Sequence, residues 1–82
     1  MPRYFFHIID GRDMRDEEGT ELPDIYVAQS QAIYLTGEVL RDMGARFWDR
    51  GRWRLEVEND QAQILFVLHV LAEERSPPHA AF

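Results

Sequence analysis

Two stretches of the chain, Arg3–Ile9 (RYFFHII) and Ile64–Leu71 (ILFVLHVL), are apolar at odd and even positions alike. Side chains alternate across a strand, so Tyr4, Phe6 and Ile8 share one face while Phe5, His7 and Ile9 share the other. A strand with two apolar faces needs cover on both sides. That demand is hard to meet in 82 residues. A chain of this length makes one domain and buries only about 60–65% of the surface its unfolded form exposes. It contains no cysteine, which removes disulfide staples, zinc–thiolate sites and thiol catalysis together. Small domains without staples often gain stability by associating.

The remaining elements follow from local pattern. Asp10-Gly11 closes the first strand in a turn, and Arg12–Asp16 reads as a short polar return strand, its charges suited to an edge. Glu17–Pro23 reads as a loop. Asp24 is a good helix N-cap, and Ile25, Ala28, Ala32, Leu35, Val39 and Met43 then recur at helical spacing up to Gly44. A second flank carries Tyr26, Ile33, Gly37 and Leu40, so the apolar surface is wider than one stripe. Phe47–Arg52 reads as a turn. Trp53–Glu58 alternates as a strand with Trp53, Leu55 and Val57 inward, and Asn59–Ala62 connects it to Ile64–Leu71. These elements predict an α+β, two-layer ββαββ domain over residues 1–73, with a four-stranded, mostly antiparallel sheet and one long helix on one face. Residues 74–82, with Pro77-Pro78, read as a disordered tail. Strand orders 2-1-3-4 and 2-1-4-3 both satisfy the pattern; the second sets the two apolar strands side by side.

Charge narrows the function classes. The net charge of −6 disfavours general binding to phosphate backbones. Residues 10–24 hold seven acids against Arg12 and Arg15, whereas residues 46–54 hold four arginines against Asp49. All nine cationic residues are arginine, as codon bias in a GC-rich genome would produce. The apolar run Tyr4–Ile9 is too short for a signal-peptide core or a membrane span. The expected address is therefore the cytoplasm, with no membrane partner.

Each candidate site has a plainer role beside the chemical one. The acids of residues 10–24 lack the alternate-position spacing of a calcium loop, and a solvated edge with Asp24 as cap accounts for them. His7 and His69 sit mid-strand; on adjacent strands the two imidazoles plus a carboxylate would suit a metal, although hydrogen-bonded core or interface histidines are commoner. Arg46, Trp48, Arg50, Arg52 and Arg54 interleave cations with aromatics, as single-stranded nucleic-acid platforms do. Against that stand the net charge and the inward placement of Trp53. No phosphate-binding glycine loop occurs, and Ser30 and Ser76 lack a His and acid arrangement. No metal and no cofactor is expected, and the chain does not read as an enzyme.

The opening RYFFHIIDG, followed by Arg15–Asp24 (RDEEGTELPD), RWRLEVEN and ILFVLHV, resembles a bacterial family of small proteins defined as a domain of unknown function. The likeness covers residues 1–72. It implies a fold and a bacterial source, and supplies no activity, substrate or catalytic residues.

The leading expectation is a non-catalytic protein-interaction or regulatory module acting as a homo-oligomer, in the first instance a homodimer. One helix covers one sheet face, which leaves Phe5, Ile9, Leu65 and Val67 on the other, with His7 and His69 among them. Burying four such side chains on association is worth roughly 1.5–3 kcal/mol each. A nucleic-acid module using residues 46–54, and a metal-binding protein or small enzyme using His7 and His69, are the alternatives.

Overall fold

The computed structural model describes residues 1–75, and the structure is the expected α+β arrangement. In chain order it comprises β1 (Arg3–Ile9), β2 (Asp13–Met14), β3 (Thr20–Glu21), α1 (Ile25–Met43), a 3-10 turn (Gly44–Asp49), β4 (Arg52–Asn59) and β5 (Ile64–Leu71). The tail expectation for residues 74–82 lies largely outside the described residues.

The sheet runs β2-β1-β4-β5, with β3 also paired to β1, and every pairing is antiparallel. This is the order 2-1-3-4 in the four-strand scheme above. The alternative that joined the two apolar strands is not the one formed. Two hairpins joined so that every neighbour is antiparallel give a ladder of regular inter-strand bonds, and that order puts β4 between β1 and β5. β3, a two-residue strand in the segment read as a loop, was not expected; no apolar alternation marks it.

Helix α1 begins where its cap predicts. The Asp24 Oδ1 accepts from the Val27 N–H at 2.9 Å, satisfying one of the orphan donors of the first turn. Its closest approach to the sheet is at Ala28 and Ala32, both fully buried, with Leu35, Val39 and Met43 packed against the core further along. The small alanine side chains let the helix backbone approach the large residues beneath it. Those are Trp53, Leu55 and Val57 of β4, the largest fully buried side chains, joined by Tyr4 and Phe6 of β1 and by Phe47 of the 3-10 turn. Each such burial stabilises by roughly 1.5–3 kcal/mol. The core is thus centred on β1 and β4. The helix-side residues of β5, namely Phe66, Leu68 and Val70, lie at its margin and are only half-buried.

Candidate interaction surface

The two edges of this sheet are finished differently. Strand β1 carries cover along its whole outer edge. β2 pairs with Ile8 and Ile9, and β3 pairs with Arg3 and Tyr4. In the gap between them the Phe6 N–H donates to the Asp16 carboxylate at 3.2 Å. That carboxylate also accepts from the Glu18 and Gly19 N–H groups at 3.1 and 3.0 Å. Burial opposes the charge on Asp16, but the N–H groups of Gly19, Phe6 and Glu18, and then the neighbouring His7 ring, outweigh it and hold the carboxyl below its ordinary range.

The loop so anchored folds onto the far face of the sheet. Gly19, at φ +74°, lies so close to Phe5 that a Cβ there would sit 2.8 Å from the Phe5 ring. Beneath the loop, His7 is 4% exposed. Its Nδ1 accepts from the Asp16 N–H at 3.1 Å, so the ring hydrogen is on Nε2, which donates to Glu58 Oε1 at 2.6 Å. Both ring nitrogens are therefore committed within the chain. His69 is exposed two strands away, opposite Arg54 on β4, while His7 lies opposite Glu56. The juxtaposition of His7 with His69 that a shared metal requires is thus not formed, because β4 separates β1 from β5. Among the described residues no three His, Cys, Asp or Glu side chains are grouped to hold a metal ion.

The structure also corrects the expected four-residue apolar face. Phe5 is half covered by the acidic loop, and Leu65 packs against the core. A register shift between Val57 and Glu58 pairs Glu58 with Ile64 and leaves Leu65 as the extra residue. Arg54, Glu56 and Glu58 run down the middle of that face, Arg54 Nε donating to Glu56 Oε2 at 2.8 Å. Ile9 stays half-buried at the cleft beside Arg52 and Arg54, and the most exposed apolar residues of this face, Ile64, Val67 and Leu71, lie on β5.

Of the arginines proposed as a nucleic-acid platform, Arg46 stands apart, while Arg50, Arg52 and Arg54 gather about Gly11 and the cleft beside it. Arg46 turns back to the Asp42 and Met43 carbonyls at the end of α1. Arg50 packs its guanidinium directly against Gly11, and Arg54 is paired with Glu56. Arg52 and Arg54 border a cleft of about 350 Å³ with Ile9, Asp10, Gly11 and His69. Trp48 is exposed, and Phe47 and Trp53 are the aromatics of this segment that enter the core.

Among the described residues strand β5 is the edge left open. The Ala72 N–H donates to the Gly51 carbonyl at 2.8 Å, with Leu71 opposite Arg52. Antiparallel alternation then turns the backbone of residues 66, 68, 70 and 72 toward β4, and that of Val67, His69 and Leu71 toward the open edge. No residue from Ile64 to Leu71 is Asp, Glu, Lys, Arg or Pro, although such residues are the usual guards of an open edge. Ile64, Val67 and Leu71 expose 48%, 38% and 71% of their surfaces. These three share the face turned away from the helix; on the helix side of the same edge the second flank of α1 exposes Tyr26 and Ile33 at 74% and 62%. Between helix and strand lies an apolar groove of about 260 Å³, lined by Gln29, Ala32, Ile33, Phe66, Val67 and Leu68. The sequence had marked this helix flank and β5 separately; only the strand order brings them together.

A two-layer α+β domain with one sheet edge covered and the other open is the class this geometry defines. Across residues 3–72 the chain matches the family described as Domain of unknown function (DUF6894), and it belongs to that family. No curated protein and no solved structure matches it. Among the described residues no helix is long and apolar enough to cross a membrane.

Proposed function

We propose that the chain is a non-catalytic interaction module that acts as a homo-oligomer, and that its working surface is the β5 edge with the adjoining flank of α1. The observation that carries this reading is the eight-residue open edge, uncharged from Ile64 to Leu71, on a sheet whose other edge is covered. An exposed, long, apolar edge strand is a template for pairing with another chain, and strand addition is a recurrent mode of recognition. The acidic segment 10–24 lies at the opposite edge of the sheet, whereas Arg52 and Arg54 of segment 46–54 sit on β4 opposite Leu71 and His69; such charges contribute steering and specificity rather than contact energy.

Sedimentation velocity over a wide concentration range tests the reading. The wild-type chain is expected to sediment above the mass of a single chain as concentration rises. The variant V67K/L71K, which places charge on the edge without touching the core, is expected to stay monomeric with an unchanged circular dichroism spectrum. A wild-type protein that remains strictly monomeric throughout overturns the reading.

A further inference from the structure

We infer that the partner on this edge is a second copy of the chain, joined by antiparallel β5–β5 pairing across a two-fold axis at Leu68. The inference rests on the interaction reading above and deepens it by fixing partner, direction and register.

The edge is complementary to itself. Val67 and His69 both present N–H and C=O groups outward, since the Ala72–Gly51 bond sets the alternation of the strand. With the axis at Leu68, Val67 of one copy meets His69 of the other as a hydrogen-bonded pair, and the symmetric contact repeats it. Four backbone hydrogen bonds form. On the helix side Leu68 meets its own copy, flanked by Phe66 against Val70, so half-buried apolar residues of the core margin meet their like. On the far side each imidazole of His69 faces a valine, and the two imidazoles are kept apart. Moving the axis to His69 instead brings the two imidazoles opposite each other and shortens the overlap. No formal charge of either copy enters the ladder, because Ile64–Leu71 carries none.

Two further features agree. The groove beside Ile33 is floored by Leu68, on the proposed axis, and by Phe66 two residues from it on the same face, so the same contact that extends the sheet turns the two helix flanks toward each other. The size is also adequate. An eight-residue strand is about 26 Å long and the two layers together stand about 20 Å high. That gives on the order of 500 Å² per copy, at the threshold of a specific interface. An interface of this modest size is expected to be reversible on dilution. Pairing joins two four-strand paths into one continuous sheet with both helices on the same side.

The absence of cysteine makes the register directly measurable. Leu68 opposite its own copy is a non-hydrogen-bonded pair, with Cα atoms about 4.5 Å apart, within the range a disulfide spans. Single variants L68C, V67C and H69C are oxidised under identical conditions and resolved without reductant. L68C is expected to cross-link to a covalent dimer at least several-fold faster than the other two. Faster cross-linking of V67C or H69C overturns the register while leaving self-association standing. No cross-linking in any variant, with a wild-type protein that is monomeric by sedimentation, overturns both. Because L68C trims the core margin, amide exchange on the wild-type chain gives an independent reading. The amides of Val67 and His69 are expected to be protected at high concentration and to lose that protection on dilution. Protection independent of concentration, or none at any concentration, overturns the pairing.

Discussion

The Nε2 of His7 lies 2.6 Å from the Oε1 of Glu58, on adjacent strands, although 51 residues separate the two in sequence. With Nδ1 held by the Asp16 N–H, the imidazole links the acidic loop to the far end of β4. The histidine that reads from sequence as a candidate metal ligand or interface residue is thus a joint between three segments. An imidazole with both nitrogens bound and 4% exposure has no free lone pair for a metal or a substrate proton.

Replacing Glu58 by alanine leaves a buried Nε2–H without its acceptor, and an orphaned buried donor costs about 1–3 kcal/mol. The Glu58 side chain is itself 22% exposed, so water can reach part of the site, and the lower half of that range is expected. Urea denaturation of E58A against wild type measures it. A loss below a few tenths of a kcal/mol contradicts the joint.

Asp16 makes the stability depend on acid. Its carboxyl is held below its ordinary range in the folded chain. The stabilisation is therefore present above the pKa of the unfolded carboxyl and is lost as pH falls through the folded one. Chemical denaturation between neutral and strongly acidic pH is expected to show this decline. D16N keeps the side-chain shape but cannot ionise, so it should be less stable than wild type at neutral pH, with the gap closing toward acid. A gap that is constant with pH contradicts the assignment.

Gly19 is required twice over, by its φ of +74° and by its contact with Phe5. A Cβ would strain the backbone and collide with the ring. G19A is expected to cost about 1 kcal/mol or more, since alanine where φ is positive destabilises by more than the 0.4–1 kcal/mol it gains elsewhere. Thermal melting reads the loss, and increased accessibility of Phe5 and His7 to exchange or labelling should accompany it. An unchanged melting temperature overturns the claim that this loop is clamped at Gly19.

The β4 core responds most. Leu55 is fully buried between β1 and α1, and Leu→Ala at such a site costs about 2–5 kcal/mol. That is a large share of what a domain of this size commands, so L55A is expected to lose most of its stability and to unfold at much lower denaturant than wild type. I33A, on the exposed helix flank, is expected to leave unfolding at high dilution nearly unchanged. Comparable losses for the two would contradict the core assigned here.

Local pattern was legible. Asp24 announced the helix start because a cap is a contact over three residues, and the alternation of Trp53, Leu55 and Val57 announced the inner face of β4 because side-chain direction repeats every two residues. The same logic failed at Leu65. A bulge inserts one residue into the alternation, and nothing in ILFVLHVL marks where. β3 escaped notice because two polar residues become a strand only through the neighbour they pair with. The role of His7 escaped for a like reason: its partners, Glu58 and the Asp16 backbone, are distant in sequence and give no periodic signal.

By itself, then, the sequence determined the elements, their inward faces and the conclusion that β1 and β5 carry more apolar surface than one helix covers. These follow from bonding and side-chain periodicities that act over a few residues. Only the tertiary structure decided where the surplus lies. Strand order is a contest between long-range pairings of similar local quality. In the order formed, the loop held by Asp16 covers β1, and β5 is left at the edge. An apolar strand at the centre of a sheet is core, whereas the same eight residues at its rim stay half-buried or exposed.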